Sequence, residues 1–148
     1  MILAFEDLPR YRHEVAMVDG AFDPLHPGHL AYFREASRLG RPLLANVASD
    51  DYVRRKHEPF LPAAQRAELV DAIRYIAYTH PNRFDTETVL EQLRPRYYVK
   101  GRDWEGRLPA RQLEICARHG IEIVYTDSVV DSSTRILDAW LRARGAPR

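Results

Sequence analysis

The chain has 148 residues, 22 Lys and Arg against 21 Asp and Glu, and a formal net charge of +1. That balance gives no global field for nucleic acid or an anionic membrane. A hydrophobic fraction of 45% with 29% charged residues is that of a globular domain with a real core, and one cysteine excludes an intrachain disulfide. No apolar run is long enough to span a bilayer, and the first residues carry acidic groups instead of a signal-peptide pattern, so a cytoplasmic protein is expected.

Residues 1–13 mix apolar and charged groups without a clear period and are expected to form an N-terminal arm or a dimer contact. Val15-Ala16-Met17-Val18 reads as a short buried strand, and a helix with Leu30, Phe33, Ala36 and Leu39 on one face is expected soon after. Between them lies GAFDPLHPGH, Gly20 to His29. Gly20 allows close backbone approach to a ligand, and Pro27-Gly28 suits the first turn of a helix, where unpaired N–H groups and the dipole favour an anion. His26 and His29 are three apart, on one face of such a turn, and can donate to a phosphate that gains charge during reaction. The pair does not read as a zinc site, since no HExxH string or nearby cysteine accompanies it.

A second strand, 43–49, ends at Ser49-Asp50-Asp51, a helix start. The basic cluster Arg54-Arg55-Lys56 follows. A cluster of this kind ordinarily forms a solvated face, but here it follows a strand on the edge that carries HPGH, where a lysine reaches phosphate as a mobile point charge. Pro62 opens a helix to about Ile73 with Leu69, Ala72 and Ile73 expected in the core, and Arg66 is either a surface residue or a fork-shaped donor to terminal phosphates. A third strand follows Ile73, then a helix over 85–94 with Val89, Leu90 and Leu93 apolar. The fourth strand, Tyr97 to Gly101, runs into the polar loop Arg102-Asp103-Trp104-Glu105-Gly106. Helix 109–119 stops at Gly120 and holds Cys116 as a small buried hydrophobe among Leu113, Ile115 and Ala117. Strand 121–125 precedes Ser132-Ser133-Thr134 and a last helix with Ile136, Leu137, Trp140 and Leu141. One hydroxyl there caps the helix, which leaves two of the three unexplained.

The alternation predicts a single α/β domain, a Rossmann-like, doubly wound sheet of five parallel strands. Four polar stretches fall at strand C-terminal ends, the edge where such sheets bind ligands.

GAFDPLHPGH resembles the signature of the HxGH nucleotidyltransferase superfamily, whose members attack the α-phosphate of a nucleoside triphosphate and expel pyrophosphate. The likeness extends over residues 14–140. VKGRD and SSTRI resemble adenylyltransferase domains acting on heptose 1-phosphate, whereas IRYI and GRDWEG resemble glycerol-3-phosphate cytidylyltransferases. Nicotinate and nicotinamide mononucleotide adenylyltransferases share the opening and ending but not KGxDWEG. The resemblance implies His26, His29 and Lys56 as catalytic groups. For the nucleotide it implies Gly20, Ala21, Phe22, Gly28, Arg66, Lys100, Gly101, Asp103, Ser132, Ser133 and Thr134. It implies Mg²⁺ with ATP or CTP, a phosphorylated sugar or polyol as acceptor, and a homodimer in many members. Two departures qualify it. Asp127 stands where cytidylyltransferases carry a nucleotide-placing arginine, which favours ATP, and Lys56 is followed by His57-Glu58, so Arg54 or Arg55 could share its role. A nucleotide-binding module without turnover is the alternative from another class. Asp23 is a candidate metal contact or a turn-fixing residue. Trp104, Tyr98 and Arg102 are candidates for the acceptor wall.

Overall fold

A computed structural model of the chain describes residues 1–128 and 133–145, with the side chains of Ser133 and Thr134 outside the description. Five strands, β1 (Ala16–Gly20), β2 (Leu43–Val47), β3 (Ile76–Pro81), β4 (Tyr97–Gly101) and β5 (Glu122–Thr126), form one sheet in the order β3-β2-β1-β4-β5. Every pairing is parallel. The helices between them are α1 (Pro27–Ser37), α2 (Asp50–Val53), α3 (Ala63–Asp71), α4 (Thr86–Leu93) and α5 (Ala110–His119), with α6 (Ser133–Ala143) after β5. This is the expected doubly wound arrangement, in which the strand order reverses on either side of β1.

Alternation along each strand builds two cores. Ala16, Val18, Leu43, Ala45, Val47 and Val99 face α1 and α3. Met17, Leu44 and Tyr98 face α4 and α5 through Val89, Leu90, Leu93, Ile115 and Cys116. Because both faces are covered, the strands are near-continuously apolar, as parallel strands are. Each fully buried aliphatic side chain contributes about 1.5–3 kcal/mol relative to exposure.

Local chemistry sets the helix ends. Ser49 accepts the Tyr52 N–H to cap α2, Asp85 accepts the Thr88 N–H to cap α4, and Gly120 closes α5 at φ 66°.

The structure corrects three expectations. Residues 1–13 are not a free arm. Leu3 and Leu8 are buried in the α4/α5 core, a 3₁₀ turn spans Phe5–Tyr11, Ile2 bridges Thr79, and the terminal ammonium pairs with Asp71. The buried face of α1 is His29, Tyr32, Phe33 and Ala36, while Leu30 is exposed. That of α3 is Arg66, Ala67 and Val70, with Leu69 and Ala72 outside. Cys116 is buried as expected, with Ile115 and Gln112, but Leu113 and Ala117 lie on the solvent side of α5. Burial pushes its thiol up to about 11.

Candidate active site

β1 delivers the chain to Gly20, and the backbone then turns sharply. Phe22 takes a left-handed φ of 53°, a strained state for an aromatic residue, and its ring is wedged edge-on between His29 and Phe33, 5.2 Å from each. A Cβ on Gly20 would meet the Phe22 ring at 3.1 Å, closer than ordinary van der Waals contact, so a larger residue there would press on the ring. The Asp23-Pro24 peptide is cis.

His26 is the N-cap of α1, and its Nδ1 accepts the Gly28 N–H at 3.1 Å. His29 Nδ1 accepts the His26 N–H at 3.3 Å. With both Nδ1 atoms accepting, the neutral rings hold their protons on Nε2. The ring centroids are 3.9 Å apart and each residue is 8% exposed. Burial, reinforced by the neighbouring His26, pulls His29 down to about 3, so it stays neutral. Two neutral N–H donors and the first turn of an 11-residue helix thus share one place, which suits an anion that gains charge.

After β2, the basic cluster sorts itself. Arg54 is spent on Asp51 at 3.0 Å and Glu58 at 3.4 Å, and Arg55 lies over the Tyr52 ring at 5.1 Å. Lys56 is exposed and, among the described residues, in no ion pair. Of the three it is the one available to a ligand.

Arg66 is neither a surface residue nor placed as a fork for phosphates. It is 0% exposed, and its guanidinium donates to Leu61 O, Ala21 O, Ala48 O and Asp50 Oδ1 at 2.7–2.9 Å. The sequence pattern could not reveal this, because the partners are mostly backbone carbonyls. Asp23 is 1% exposed and accepts the Phe60 N–H at 2.8 Å, the geometry of a loop tie. Among the described residues, no group of three or more His, Cys, Asp or Glu could hold a metal.

At the end of β4, Lys100 Nζ pairs with Asp19 Oδ1 at 2.8 Å and lies 4.5 Å from the Trp104 ring. Lys100 thus meets a carboxylate that sequence reading passed over. Asp19 closes an apolar strand, and its charge at that position was the available signal. Tyr98 is buried, with its hydroxyl 3.0 Å from Gln112 Oε1, so it is not an exposed wall. Trp104 and Arg102 remain exposed. Gly101 leaves room for Asp103 to fold back, since a Cβ there would stand 2.6 Å from Asp103 Oδ1.

The turn after β5 is held by a second residue that sequence reading missed. Glu35, on α1, accepts from Asp127 N at 2.6 Å and from Ser128 N and Oγ at 3.2 and 2.8 Å. Burial alone would raise its carboxyl, but those hydrogen bonds prevail and hold it below the usual carboxylate range. No local pattern marks Glu35, because its partners lie some ninety residues away. Ser132 and the side chains of Ser133 and Thr134 lie outside the described residues, and the backbone of α6 begins at Ser133.

Gly20 to His29, Lys56, Gly101 and Asp103 therefore sit at or after the C-terminal ends of β1, β2 and β4, three neighbouring strands of the sheet. A parallel sheet with a His pair capping the first helix at its switch point describes a nucleotidyltransferase. The cytidylyltransferase-like family model matches residues 17–139, and the chain belongs to that family. It is 34% identical over 142 residues to the bifunctional protein HldE of Nitrosococcus oceani, with 93% of this chain matched and 30% of the relative. It is 33% identical over 143 residues to the FAD synthase of Methanoregula boonei, with 86% of this chain and 90% of the relative matched. The chain thus spans under a third of the bifunctional relative and most of the FAD synthase. Among solved structures, the lipopolysaccharide core biosynthesis protein of Thermoplasma volcanium shares the fold at TM-score 0.65 and 21% identity, over 78% of this chain and 98% of that one. Family and relatives support a nucleotidyltransferase enzyme. Among the described residues no helix is long and apolar enough to cross a membrane.

Proposed function

We propose that this enzyme moves the nucleoside monophosphate of ATP onto the phosphate of a sugar or polyol, releasing pyrophosphate, in the manner of heptose 1-phosphate adenylyltransferases. The observation that carries the reaction type is the pair of neutral imidazoles at the N-terminus of α1, with Lys56 exposed in the turn after α2, which follows the neighbouring strand β2. The acceptor rests on the likeness of VKGRD and SSTRI, and the base on Asp127 standing where cytidylyltransferases carry arginine.

A phosphate oxygen of the acceptor attacks the α-phosphorus in line, and the bond to the bridging oxygen of pyrophosphate breaks. The attacking oxygen is already ionised at neutral pH, so no general base is required. Catalysis is positioning and charge stabilisation. His26 and His29 donate from Nε2 to the triphosphate as charge shifts to the leaving group. Lys56 neutralises the transferred phosphoryl group. Gly20, Ala21, Phe22 and Gly28 bring backbone to the nucleotide, Gly101 and Asp103 contact it, and Ser132, Ser133 and Thr134 hold phosphates. Mg²⁺ accompanying the triphosphate would supply charge neutralisation that makes pyrophosphate a better leaving group. The enzyme works in the cytoplasm as a homodimer, which sedimentation checks.

The alternative acceptor is glycerol 3-phosphate with CTP, favoured by GRDWEG. A flavin acceptor enters through the FAD synthase relative. The test is pyrophosphate release with Mg²⁺, crossing ATP and CTP against heptose 1-phosphate, glycerol 3-phosphate, FMN and other sugar phosphates. Turnover with ATP and a sugar phosphate alone supports the proposal. CTP with glycerol 3-phosphate, or ATP with FMN, replaces it.

A further inference from the structure

Arg66 is a fully buried cation far from any economical solution for a helix face. A guanidinium taken out of water costs several kcal/mol, and apolar residues of like volume at such sites are often as stabilising or more so. Its four hydrogen bonds join three separate stretches of chain. Nη1 holds Ala21 O, in the turn that leads to His26, and Ala48 O, at the end of β2. Nη2 holds Asp50, at the start of α2, and Nε holds Leu61 O, just before α3. Asp50 and Leu61 bracket the segment that carries Lys56. Asp23, in the same turn as Ala21, ties that segment a second time through Phe60 N. The other oxygen of Asp23 is buried with no hydrogen-bond partner among the described residues, so the carboxylate is not placed to satisfy itself.

We infer that Arg66 and Asp23 are positioning residues that hold the Lys56 segment in register with the His26/His29 turn. The inference rests on the proposed role of Lys56. Only a planar fork serves Arg66's position, because the carbonyls converge from different directions, and a lysine presents all its donors from one nitrogen. Arg66 acts through Lys56 and through Ala21, and its guanidinium touches no phosphate.

Trypsin reads the segment directly, since Arg54, Arg55 and Lys56 are exposed cleavage sites. The full chain carrying Arg66→Lys, Arg66→Met or Asp23→Asn is digested under native conditions and its melting temperature measured. Arg66→Lys and Asp23→Asn should raise cleavage at 54–56 about tenfold over cleavage elsewhere, the population change expected for one lost charge-assisted hydrogen bond. Binding of α,β-methylene-ATP and of AMP should fall by the same factor. Should Arg66→Met fail to fold, the two milder variants decide. Unchanged cleavage in both overturns the inference, as does a loss confined to the triphosphate, which would mean direct phosphate contact.

Pyrophosphate release separates positioning from mere stability. Arg66→Lys should lower kcat, and by less in a Lys56→Ala background than in the wild type, because part of its effect runs through Lys56. Additive losses overturn the inference. Faster cleavage together with full activity in Lys56→Ala would leave the tie standing and remove the proposed role of Lys56 instead.

Discussion

His29 and His26 hold each other in place: the His26 amide donates to His29 Nδ1 at 3.3 Å, and their rings lie 3.9 Å apart. Each histidine is therefore both cap and donor, and the two duties separate by substitution. His26→Asn keeps an acceptor for the Gly28 N–H and should cost at most a few tenths of a kcal/mol in stability, whereas His26→Ala should cost about 1 kcal/mol. Both should lose the Nε2 donor and with it about 10²–10³ in kcat, as removal of an oxyanion donor does. Urea unfolding and pyrophosphate release measure the two effects. Wild-type kcat in His26→Asn would remove the donor role.

The pH dependence of stability follows from buried neutral imidazoles. His29 lies at about 3, and His80 at about 4, the latter because burial outweighs the pull of Glu6. His80 Nδ1 is also 2.9 Å from Asn46 Oδ1. Between those values and the ordinary 6.5, the unfolded chain binds protons that the folded chain refuses. Stability from this source is complete above pH 6.5 and falls as pH drops toward 4. The urea midpoint should be lower at pH 5 than at pH 7.5, with the gap narrowed in His80→Gln. In NMR titration the His29 ring resonances should stay still from pH 8 to 5.

Lys56 stands apart from its neighbours because they are already engaged. Lys56→Ala should lower kcat strongly, while Arg54→Ala and Arg55→Ala should stay within about 0.5 kcal/mol of wild type in stability and close to it in rate. Equal kcat losses from all three would mean a diffuse basic field in place of one residue.

The five parallel strands, the helices between them and the helix start at Pro27-Gly28 were legible because they rest on local signals: apolar runs, breakers and a ten-residue string. Arg66, Glu35 and Asp19 were not. An arginine on a helix face reads as solvent-facing until the carbonyls that receive it are known, and those belong to residues 21, 48 and 61. Leu69 and Leu30 misled for the opposite reason. Hydrophobic spacing marked them as core, yet both helices turn a histidine or an arginine inward to serve the sheet edge. Departures of this kind concentrate where function competes with packing.

Glu35 links the helix that carries the histidines to the turn after β5. Its carboxyl lies below the usual range, so its contribution is present at neutral pH and is lost as pH falls through the lowered folded value. Glu35→Gln should speed hydrogen exchange at the Asp127 and Ser128 amides about tenfold at pH 7. The ratio to wild type should shrink toward one in acid, where the wild-type carboxyl is itself protonated. A ratio that ignores pH would show that shape, not charge, holds the turn.

Gly101 offers the sharpest test of the loop after β4. A Cβ there would stand 2.6 Å from Asp103 Oδ1, inside any tolerable contact, while the backbone is ordinary at φ −63°. Gly101→Ala should therefore displace the Asp103 side chain and little else. The melting temperature should move by only a few degrees, roughly the shift for 1 kcal/mol in a domain of this size. If Asp103 contacts the nucleotide, ATP affinity should fall by about tenfold in Gly101→Ala and in Asp103→Ala alike. The double variant should then be no weaker than Asp103→Ala, because both substitutions remove the same interaction. Independent losses that add would mean that Gly101 itself, through the space it leaves at the strand end, admits the nucleotide.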